Sequence, residues 1–413
     1  MTSPKLRFKE FDSDWSKVKL KELVISLDAG VSVNGEDVDV TEDDFSVLKT
    51  SCVSLGVFNA NERKLVNLEN EIQRLKEPLL DNSLVMNRSN TPLLVGSSAF
   101  IKKAPKNTYL SDKLWQIKVN DKADIRWLSF HLSSETTLIK LRDMATGTSN
   151  SMKNITKSDV LNFELSAPSK QEQTKIASFL SAVDEKVSQL TQKHQLLSQY
   201  KQGMMQKLFS QQIRFKADDG SEFGEWEEIQ LRDVAERVTR KNKEDNQNAL
   251  TISAQMGLVN QQDYFSKQIA SRDLSKYYLL HKGEFAYNKS YSAGYPMGAI
   301  KRLKLYEKGV VSTLYICFAL NDQLNANFFE QYVESGALVP ELEKIAQEGA
   351  RNHGLLNISL QEFFEVVILK PCLEEQTKIA NFLSAIDQKI EGVAQQIEQA
   401  KQWKKGLLQQ MFV

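Results

Sequence analysis

A sixteen-residue block occurs twice in this chain of 413 residues. Residues 172–187 read EQTKIASFLSAVDEKV and residues 375–390 read EQTKIANFLSAIDQKI, with twelve identical positions at an offset of 203 residues. Solenoid repeats recur every ~20–50 residues, so a period near half the chain indicates two copies of one larger unit. The fold must therefore contain two related units, each ending in the same segment.

Shorter pairs of segments extend the repeat along the chain at similar offsets. The pairs are Leu6-Arg7-Phe8 with Ile213-Arg214-Phe215, Trp15 with Trp226, Met86–Ser89 with Tyr287–Ser290, Asn154-Ile155 with Asn357-Ile358, and Lys201–Phe209 with Lys404–Phe412. Between these anchors the two halves are hardly alike. Similar helices joined to dissimilar globular parts favour a common scaffold that carries two different specificities.

The repeated block begins a long heptad pattern in each half. Apolar residues recur at alternating steps of four and three, and this pattern predicts helices that pair as a coiled coil. The predicted seam consists of Ile176, Leu180, Val183, Val187, Leu190 and Leu197 in the first copy and Ile379, Leu383, Ile386, Ile390, Val393 and Ile397 in the second. We interpret His194, a polar residue at a seam position, as setting the register. The alternative is that each amphipathic helix packs on its own domain.

Lys201 and Lys404 occupy equivalent heptad positions, which favours one direction of pairing. Parallel helices in register would place the two ammonium groups face to face, whereas antiparallel helices place them at opposite ends. Antiparallel pairing of repeated halves also creates a pseudo-twofold axis. At the start of the first helix, Ser169 followed by Glu172 predicts a capping box.

The composition is that of a globular chain long enough for two cores. Lys and Arg number 53, as do Asp and Glu, so the chain as a whole is not a basic nucleic-acid binder. No apolar run reaches the ~18 residues of a membrane span, and the first residues lack an apolar signal core. The three cysteines, Cys52, Cys317 and Cys372, are widely separated. We therefore expect a cytoplasmic protein without a membrane partner, a metal site or a cofactor.

The expected fold class is α/β, with two globular domains separated by a pair of long antiparallel coiled-coil helices. Short apolar and β-branched runs predict strands at Leu93-Leu94-Val95, Leu114–Val119 and Phe364–Leu369. The expected boundaries are 1–167 for the first domain, 168–210 for the central helix, 211–371 for the second domain and 372–413 for the C-terminal helix.

The sequence lacks the common catalytic motifs, and its potential catalytic residues do not recur at matching places in the two halves. The sequence has no phosphate-binding G-x-x-x-x-G-K-S/T loop and no N/D-P-P-Y/F tetrapeptide of the kind that amino-methyltransferases use. Its four histidines do not align across the repeat. Asp184 and Lys186 form a nuclease-like D-x-K pair, but both lie on a predicted long helix with no partner carboxylate nearby. We therefore expect a protein that is not an enzyme.

Basic residues concentrate at matching places in the two halves. Residues 86–122 carry seven Lys and Arg against two Asp, and residues 287–308 carry five against one Glu. A polar, glycine-containing loop also precedes each Asn-Ile anchor. Such Lys and Arg residues can contact phosphates, and Asn, Thr or Tyr can contact base edges, although either run could be an ordinary solvated surface. The candidate DNA contacts are Arg88, Lys102, Lys103, Thr148, Asn150, Lys289, Tyr291, Arg302, Arg351 and Asn352.

The repeated Glu-Gln-Thr-Lys-Ile-Ala segments at 172–177 and 375–380 are followed by Gly203 and Gly406 near the predicted helix ends. In these features the chain resembles the DNA-specificity subunit of type I restriction–modification systems. The resemblance implies two target-recognition domains, each followed by a long helix, with the two helices paired antiparallel. Residue-level matches cover only the helices and the segments before them, so the resemblance assigns no DNA contacts.

The function implied by the resemblance is that of a non-catalytic subunit that binds a bipartite site in double-stranded DNA. Each domain would read one half-site through the major groove, and the helices would fix the spacer. The resemblance also implies two methyltransferase subunits as partners, with restriction (translocase–nuclease) subunits joining through the complex. The alternative is a non-catalytic tandem protein-interaction adaptor with a coiled-coil core. Salt-dependent binding to duplex DNA would distinguish the two.

Overall fold

The computed structural model describes residues 4–147, 152–265, 273–292, 294–348 and 356–412. The chain forms two compact units. The first unit contains residues 1–192 together with 394–413, and the second unit contains residues 193–393. This division passes through both long helices, so each unit holds the beginning of one long helix and the end of the other.

The strands of the first unit are short. In chain order they are β1 (Ser16–Lys19), β2 (Val24–Ala29), β3 (Ser46–Leu48), β4 (Val53–Ser54), β5 (Val57–Phe58), β6 (Arg63–Leu65), β7 (Ser83–Asn87), β8 (Ser89–Asn90), β9 (Ser98–Ile101), β10 (Thr108–Tyr109), β11 (Leu114–Val119), β12 (Lys153–Asn154) and β13 (Glu164–Ala167). Four of them form an antiparallel sheet in the order β2-β11-β7-β9. A second sheet, β10-β3-β6, contains one parallel pair.

The described part of the first unit contains four α-helices and the beginning of a fifth, long helix. They are α1 (Glu69–Ile72), α2 (Ile125–Ser133), α3 (Glu135–Asp143), α4 (Lys157–Leu161) and the long α5 (Lys170–Phe209). The carboxylate of Asp124 caps α2 by accepting hydrogen bonds from the backbone amides of Arg126 and Trp127. Trp127 then lies buried in the same core as Trp15 and Leu180 of α5, so α2 links the sheet to the long helix.

The second unit repeats this arrangement with different sequences. Its strands are β14 (Glu227–Gln230), β15 (Ala235–Arg237), β16 (Leu250–Ser253), β17 (Gly257–Asn260), β18 (Tyr278–His281), β19 (Phe285–Asn288), β20 (Ala299–Arg302), β21 (Lys308–Val311), β22 (Ile316–Leu320), β23 (Gln347–Glu348), β24 (Leu356–Asn357) and β25 (Val367–Lys370). Its helices are α6 (Leu231–Val234), α7 (Gln261–Phe265), α8 (Ala326–Glu334), α9 (Val339–Ile345), α10 (Leu360–Glu365) and the long α11 (Leu373–Met411).

The main sheets of the two units have equivalent strand orders. The order β2-β11-β7-β9 in the first unit corresponds to β15-β22-β19-β20 in the second. In each unit the first strand also pairs antiparallel with the strand just before the long helix, β1 with β13 and β14 with β25. The mixed α/β repeat predicted from the sequence is therefore confirmed.

The predicted strand at Leu93-Leu94-Val95 is wrong. These residues form a turn between β8 and β9, in which the amides of Leu94 and Val95 both donate to the carbonyl of Thr91 at 3.0 Å. Gly96 ends the turn with φ of +76°, a conformation that favours glycine. The strand at Leu114–Val119 is confirmed, whereas Phe364 belongs to α10 and the strand that follows begins at Val367.

A buried carboxylate explains why three separate anchors recur in each half. In the first unit, Glu172 pairs with the guanidinium of Arg7 at 2.7 and 2.8 Å and accepts a hydrogen bond from Trp15 Nε1 at 3.3 Å. Because a buried charge must be paired, these contacts hold the N-terminal segment against the start of α5. The amide of Glu172 donates to the Ser169 hydroxyl oxygen at 3.3 Å, as expected of a cap, but the Glu172 carboxylate binds Arg7 and leaves the capping box half-formed.

The second unit contains the same network at the equivalent positions. Glu375 pairs with Arg214 at 3.1 and 2.8 Å and accepts a hydrogen bond from Trp226 Nε1 at 3.1 Å. The adjacent glutamines are also equivalent, since Gln173 Oε1 accepts from the amide of Asp124 and Gln376 Oε1 accepts from the amide of Asn325. The Glu-Gln pair of the repeated block is thus a structural element that attaches each long helix to its globular part.

The two long helices pack together within each unit. The core of the first unit joins Ile176, Leu180 and Val183 of α5 to Leu407 and Met411 of α11. The core of the second unit joins the end of α5 to the start of α11, through Met205, Leu208, Ile379, Leu383 and Ile386. Each unit therefore pairs the beginning of one helix with the end of the other, as antiparallel helices do.

The predicted seam positions all lie buried or half-buried along the two helices. The buried members are Ile176, Leu180, Val183, Leu190, Ile379, Leu383, Ile386 and Val393, and the half-buried members are Val187, Leu197, Ile390 and Ile397. His194 is likewise half-buried. Within the described ranges, no helix is both long and apolar enough to cross a membrane.

Candidate nucleic-acid interface

Arg88 of the first unit is exposed just beyond the end of β7. Its amide donates to the carbonyl of Lys113 at 3.0 Å, and its own carbonyl accepts from the amide of Ile155 at 3.0 Å. The guanidinium donates to the carbonyl of Asp112 at 3.3 Å and lies 5.9 Å from the ring centre of Trp115. These contacts orient the side chain while leaving most of its five donors facing solvent.

A polar groove of about 380 Å³ opens beside Arg88. Three lysines from separate segments line it against one carboxylate, Asp112, together with hydroxyl and apolar side chains: Lys49, Lys64, Lys113, Ser32, Thr50, Ser51, Ser111, Val33, Val47 and Leu48. The groove adjoins Arg88 through the bond between Arg88 and Lys113, and through the side-chain amide of Asn90, which donates to the carbonyl of Thr50 at 3.3 Å. We name this surface the Lys49 groove.

The lysines of the Lys49 groove differ in their partners. Lys49 pairs with Asp37 at 2.8 Å and with Glu62 at 3.3 Å, and the hydrogen bond that its ammonium group donates to Asp37 raises the pKa of Lys49 above the ordinary value. Among the described residues, neither Lys64 nor Lys113 has a carboxylate within ion-pair distance. An unpaired ammonium group on a concave polar surface is available to an external anion such as a phosphate.

Lys102 and Lys103 lie at the opposite end of the sheet from Arg88. They follow β9, whose last residue, Ile101, pairs with Ser83 at the start of β7. Arg88 comes after the other end of β7. Both lysines are exposed, and Lys103 pairs with Asp81 at 2.9 Å. The first unit's candidate residues therefore fall on two separate surfaces.

The candidates of the second unit divide in the same way. Lys289 follows β19, and its carbonyl accepts from the amide of Leu356 at 2.8 Å while its Nζ donates to the carbonyl of Ile358 at 3.1 Å. Tyr291, two residues on, is 64% exposed. Arg302 lies at the other end of the sheet, because it pairs with Phe285 at the start of β19. Its guanidinium donates to Asn327 Oδ1 at 2.7 Å.

Thr148, Asn150, Arg351 and Asn352 lie outside the described residues. The segments that follow them along the chain lie beside Arg88 and Lys289. Strand β12 pairs with β8 through Lys153 and Asn90, and the amide of Leu356 bonds to Lys289. The sequence alone did not single out Lys49, Lys64 or Lys113. Lys113 lies within the basic stretch, but the other two come from segments with no local charge signal.

The carboxylate of Asp184, the aspartate of the D-x-K pair, forms ion pairs with two cationic side chains. Its carboxylate lies 3.2 Å from Arg126 Nη2 and 2.5 Å from Lys404 Nζ. Among the residues that the structure describes, no group of three or more His, Cys, Asp and Glu side chains is placed to hold a metal ion.

Known proteins match this chain in both sequence and fold. The model of the type I restriction modification DNA specificity domain matches residues 12–199 and again residues 224–402. The S subunit of the type I restriction-modification system from M. genitalium aligns with a TM-score of 0.58 and 17% identity, covering 100% of this chain and 99% of that chain. A chain from a structure on complex assembly and conformational transition of the type I R-M system aligns with a TM-score of 0.51 and 17% identity, over 95% of this chain and 96% of that one.

These similarities agree with the internal repeat. The two matched ranges each contain one globular part and most of the following long helix. The structural alignments extend over nearly the whole chain, so they show a shared fold for both units. The chain belongs to the family of type I restriction modification DNA specificity domains, which it contains in two copies.

Proposed function

We propose that this chain is the DNA-recognition subunit of a type I restriction–modification complex, and that each unit reads one half of a bipartite site. The observation that carries this proposal is the contrast between scaffold and surface. The Glu172 and Glu375 networks are equivalent in every partner, whereas the sheet ends that carry Arg88 and Lys289 present different side chains. Two different surfaces on one repeated scaffold suit two different half-sites.

The side chains around Arg88 and Lys289 suggest different roles in binding DNA. In the first unit, Lys64 and Lys113 of the Lys49 groove would contact phosphates, because single ammonium groups act as point charges. Arg88 would contact a base edge in the major groove, since a guanidinium can donate two bonds to guanine. In the second unit, Lys289 and Tyr291 occupy the equivalent place and would read the other half-site.

The remaining candidate contacts stay as predictions of the proposal. Thr148, Asn150, Arg351 and Asn352 lie outside the described residues, and the segments that follow them along the chain lie beside Arg88 and Lys289. Lys102, Lys103 and Arg302 are at the other end of each sheet, where they would serve only a DNA path that extends along the unit. In this scheme residues 1–167 and 211–371 form the recognition domains, and residues 168–210 and 372–413 form the helices.

The proposed complex supplies the chemistry that the specificity subunit does not. Two methyltransferase subunits would dock on the chain and bring the methyl donor, and the restriction subunits would join through them. A formal net charge of zero fits a reader whose partners provide part of the phosphate neutralisation. The proposed location is the cytoplasm, where the DNA substrate of a bacterial system lies.

A panel of variants in the assembled methyltransferase tests the DNA contacts. Arg88→Ala should lower affinity by about 1–3 kcal/mol for the preferred base at one position only. Lys113→Ala should weaken binding to every sequence and lower the slope of log affinity against log salt by about one. Lys102→Ala is the matched control, because it removes an exposed lysine from the other end of the same sheet.

The readout is affinity for duplexes with single-base changes in each half-site, measured at several salt concentrations. Altered preference in only one half-site for Arg88→Ala supports the assignment of the first unit. Equal effects of Lys102→Ala and Lys113→Ala would contradict the Lys49 groove as the contact surface. A complex without salt-dependent affinity for duplex DNA would contradict the proposed function and favour a protein-interaction adaptor.

A further inference from the structure

The loop between β19 and β20 carries Tyr291, the exposed aromatic residue that the proposed function assigns to the second half-site. The loop consists of residues 289–298, and the structure describes all of them except residue 293. Tyr291 is 64% exposed, whereas Tyr295 of the same loop is half-buried and contacts the sheet and α8 through its side chain. We name this segment the Tyr291 loop.

The phenol of Tyr295 belongs to a closed network of three polar side chains. Its Oη donates to Glu334 Oε2 at 2.7 Å and accepts a hydrogen bond from Lys301 Nζ at 2.9 Å. The same ammonium group pairs with Glu334 Oε1 at 2.6 Å. Lys301 belongs to β20 and is only 9% exposed, and Glu334 is the last residue of α8. Tyr295 therefore fixes the loop to the sheet and to a helix at once.

Backbone contacts connect this anchor to Tyr291. The amide of Tyr295 donates to the carbonyl of Ser292 at 2.8 Å, and the amide of Ser292 donates back to the carbonyl of Tyr295 at 3.3 Å. Tyr291 directly precedes this turn, so the place of Tyr295 determines where the exposed ring begins. A second anchor lies nearer β20, where Tyr287 Oη donates to the carbonyl of Met297 at 2.8 Å.

The first unit has neutral residues at the positions of the ion pair. Lys301 pairs across the sheet with the residue before Tyr287, and Ala99 pairs with the residue before the equivalent Met86. Glu334 ends α8, whereas the last residue of the equivalent helix α2 is a serine. The repeated scaffold therefore forms without charge at this place. A buried ion pair adds little stability over neutral residues, but it can hold one conformation.

We propose that Tyr295, Lys301 and Glu334 are positioning residues that hold Tyr291 against one base pair of the second half-site. A phenol can donate or accept a single hydrogen bond, so it distinguishes bases only when its place relative to the groove is fixed. Supporting side chains give a binding residue that precision when packing and hydrogen bonds lock them. This inference rests on the proposed function, because it concerns how the second unit reads its half-site.

The experiment measures the affinity of the assembled methyltransferase for duplexes with single-base changes in each half-site. Tyr295→Phe removes both hydrogen bonds of the phenol and leaves the ion pair in place. The double variant Lys301→Ala with Glu334→Ser introduces the neutral residues of the first unit and leaves no unpaired charge. Tyr306→Phe is the matched control, because that phenol accepts a hydrogen bond from the amide of Asn260 on β17, outside the Tyr291 loop. Circular dichroism of the full chain verifies folding.

We expect both network variants to reduce discrimination about tenfold at one position of the second half-site, with the first half-site unchanged. Tyr291→Ala should cause the same loss. Adding Tyr295→Phe to Tyr291→Ala should cause no further loss, because a positioning residue acts only through the residue that it positions.

Several outcomes would overturn the inference. These are unchanged discrimination in Tyr295→Phe or in the folded Lys301→Ala, Glu334→Ser variant, equal losses in both half-sites, and the same loss in Tyr306→Phe. Additive losses in the double variant of Tyr291 and Tyr295 would also overturn it, since the network would then act independently of Tyr291. A wild-type complex with no base preference in the second half-site would instead contradict the proposed function.

Discussion

Lys201 of α5 and Asp387 of α11 form an ion pair in the second unit, with Nζ 2.7 Å from Oδ1. The equivalent residues of the repeat, Lys404 and Asp184, form the same pair in the first unit at 2.5 Å. Both lysines occupy seam positions, where an ammonium group without a partner would be costly. The aspartate in each repeated block is therefore the partner of the lysine near the end of the other helix. This pairing accounts for the aspartate of the D-x-K pattern.

Removing the carboxylate of one pair should destabilise the second unit. In Asp387→Asn, Lys201 loses its charge partner while its side chain remains only 18% exposed. Gln331 Nε2, which donates to Asp387 at 2.9 Å, would keep an oxygen to bind. We expect the free energy of unfolding to fall by roughly 1–2 kcal/mol, as measured by urea denaturation. In the double variant with Lys201→Met, part of that loss should return. Lys389→Gln, on the exposed face of the same helix, is the control, and an equal effect there would contradict the role of the pair.

Acid should destabilise the first unit through His131. Its ring is buried between Trp127 and Phe412, with centroid distances of 5.4 and 5.3 Å. Burial, with the nearby charge of Lys140, lowers the pKa of His131 to about 4 from 6.5. Because the folded pKa lies below the unfolded one, the unfolded chain takes up the proton first. The stability contributed by neutral His131 is therefore complete above about pH 6.5 and is lost as pH falls toward 4.

The measurement is the thermal unfolding midpoint at pH 7.5 and at pH 5.0. His131→Leu should show a smaller decrease between the two pH values than the wild type, since it removes the titrating group. Among the described residues His131 Nε2 has no hydrogen-bond partner and Nδ1 lies 3.2 Å from Thr137 Oγ1, so the substitution removes one side-chain hydrogen bond together with the titrating group. His281→Gln controls for the loss of one histidine elsewhere. An unchanged decrease in His131→Leu would show that another group controls the acid response.

The chain should tolerate circular permutation. In the first unit the amide of Leu6 donates to the carbonyl of Gln410 at 2.9 Å, and in the second unit Ile213 makes the equivalent bond to Lys207 at 3.2 Å. The connection that is covalent after α5 is thus reproduced by contact between the two chain ends. A permutant opened after Gln211, with the old ends joined by a short linker, should fold and retain its sequence preference. Failure to fold with linkers of several lengths would contradict this equivalence, and circular dichroism with DNA-binding assays would show the outcome.

Helix length should set the spacing of the two half-sites. Insertion of seven residues after Leu190, with a matching insertion after Val393, keeps the heptad in phase and lengthens each helix by about 10 Å. The methylated motif should gain about three undefined base pairs at ~3.4 Å each, and both defined halves should stay the same. Mapping of methylated bases in a host genome gives the motif. Altered half-sites with an unchanged spacer would contradict the prediction, and insertion into only one helix is the control that should disrupt pairing.

The candidate site was only partly predictable, because it depends on which strand ends meet. Arg88 and Lys102 lie in one basic stretch of sequence, but β7 and β9 run antiparallel and place them at opposite ends of the sheet. Lys49 and Lys64 join Lys113 in one groove from segments outside that basic stretch. The turn at Leu93–Val95 was likewise not predictable from the sequence, since short apolar runs occur both in strands and in exposed loops.

The sequence by itself determined the twofold repeat, the two long helices and their antiparallel direction. The repeat and the helices follow from identity between distant segments and from local periodicity, and the direction follows from the like charges of Lys201 and Lys404 at equivalent heptad positions. Only the tertiary structure decided the partners of the repeated residues, namely Arg7 and Trp15 for Glu172, and Lys404 for Asp184. It also decided which lysines share a groove. Such contacts join residues far apart in the chain, and burial of charge makes their pairing obligatory only once the core has formed.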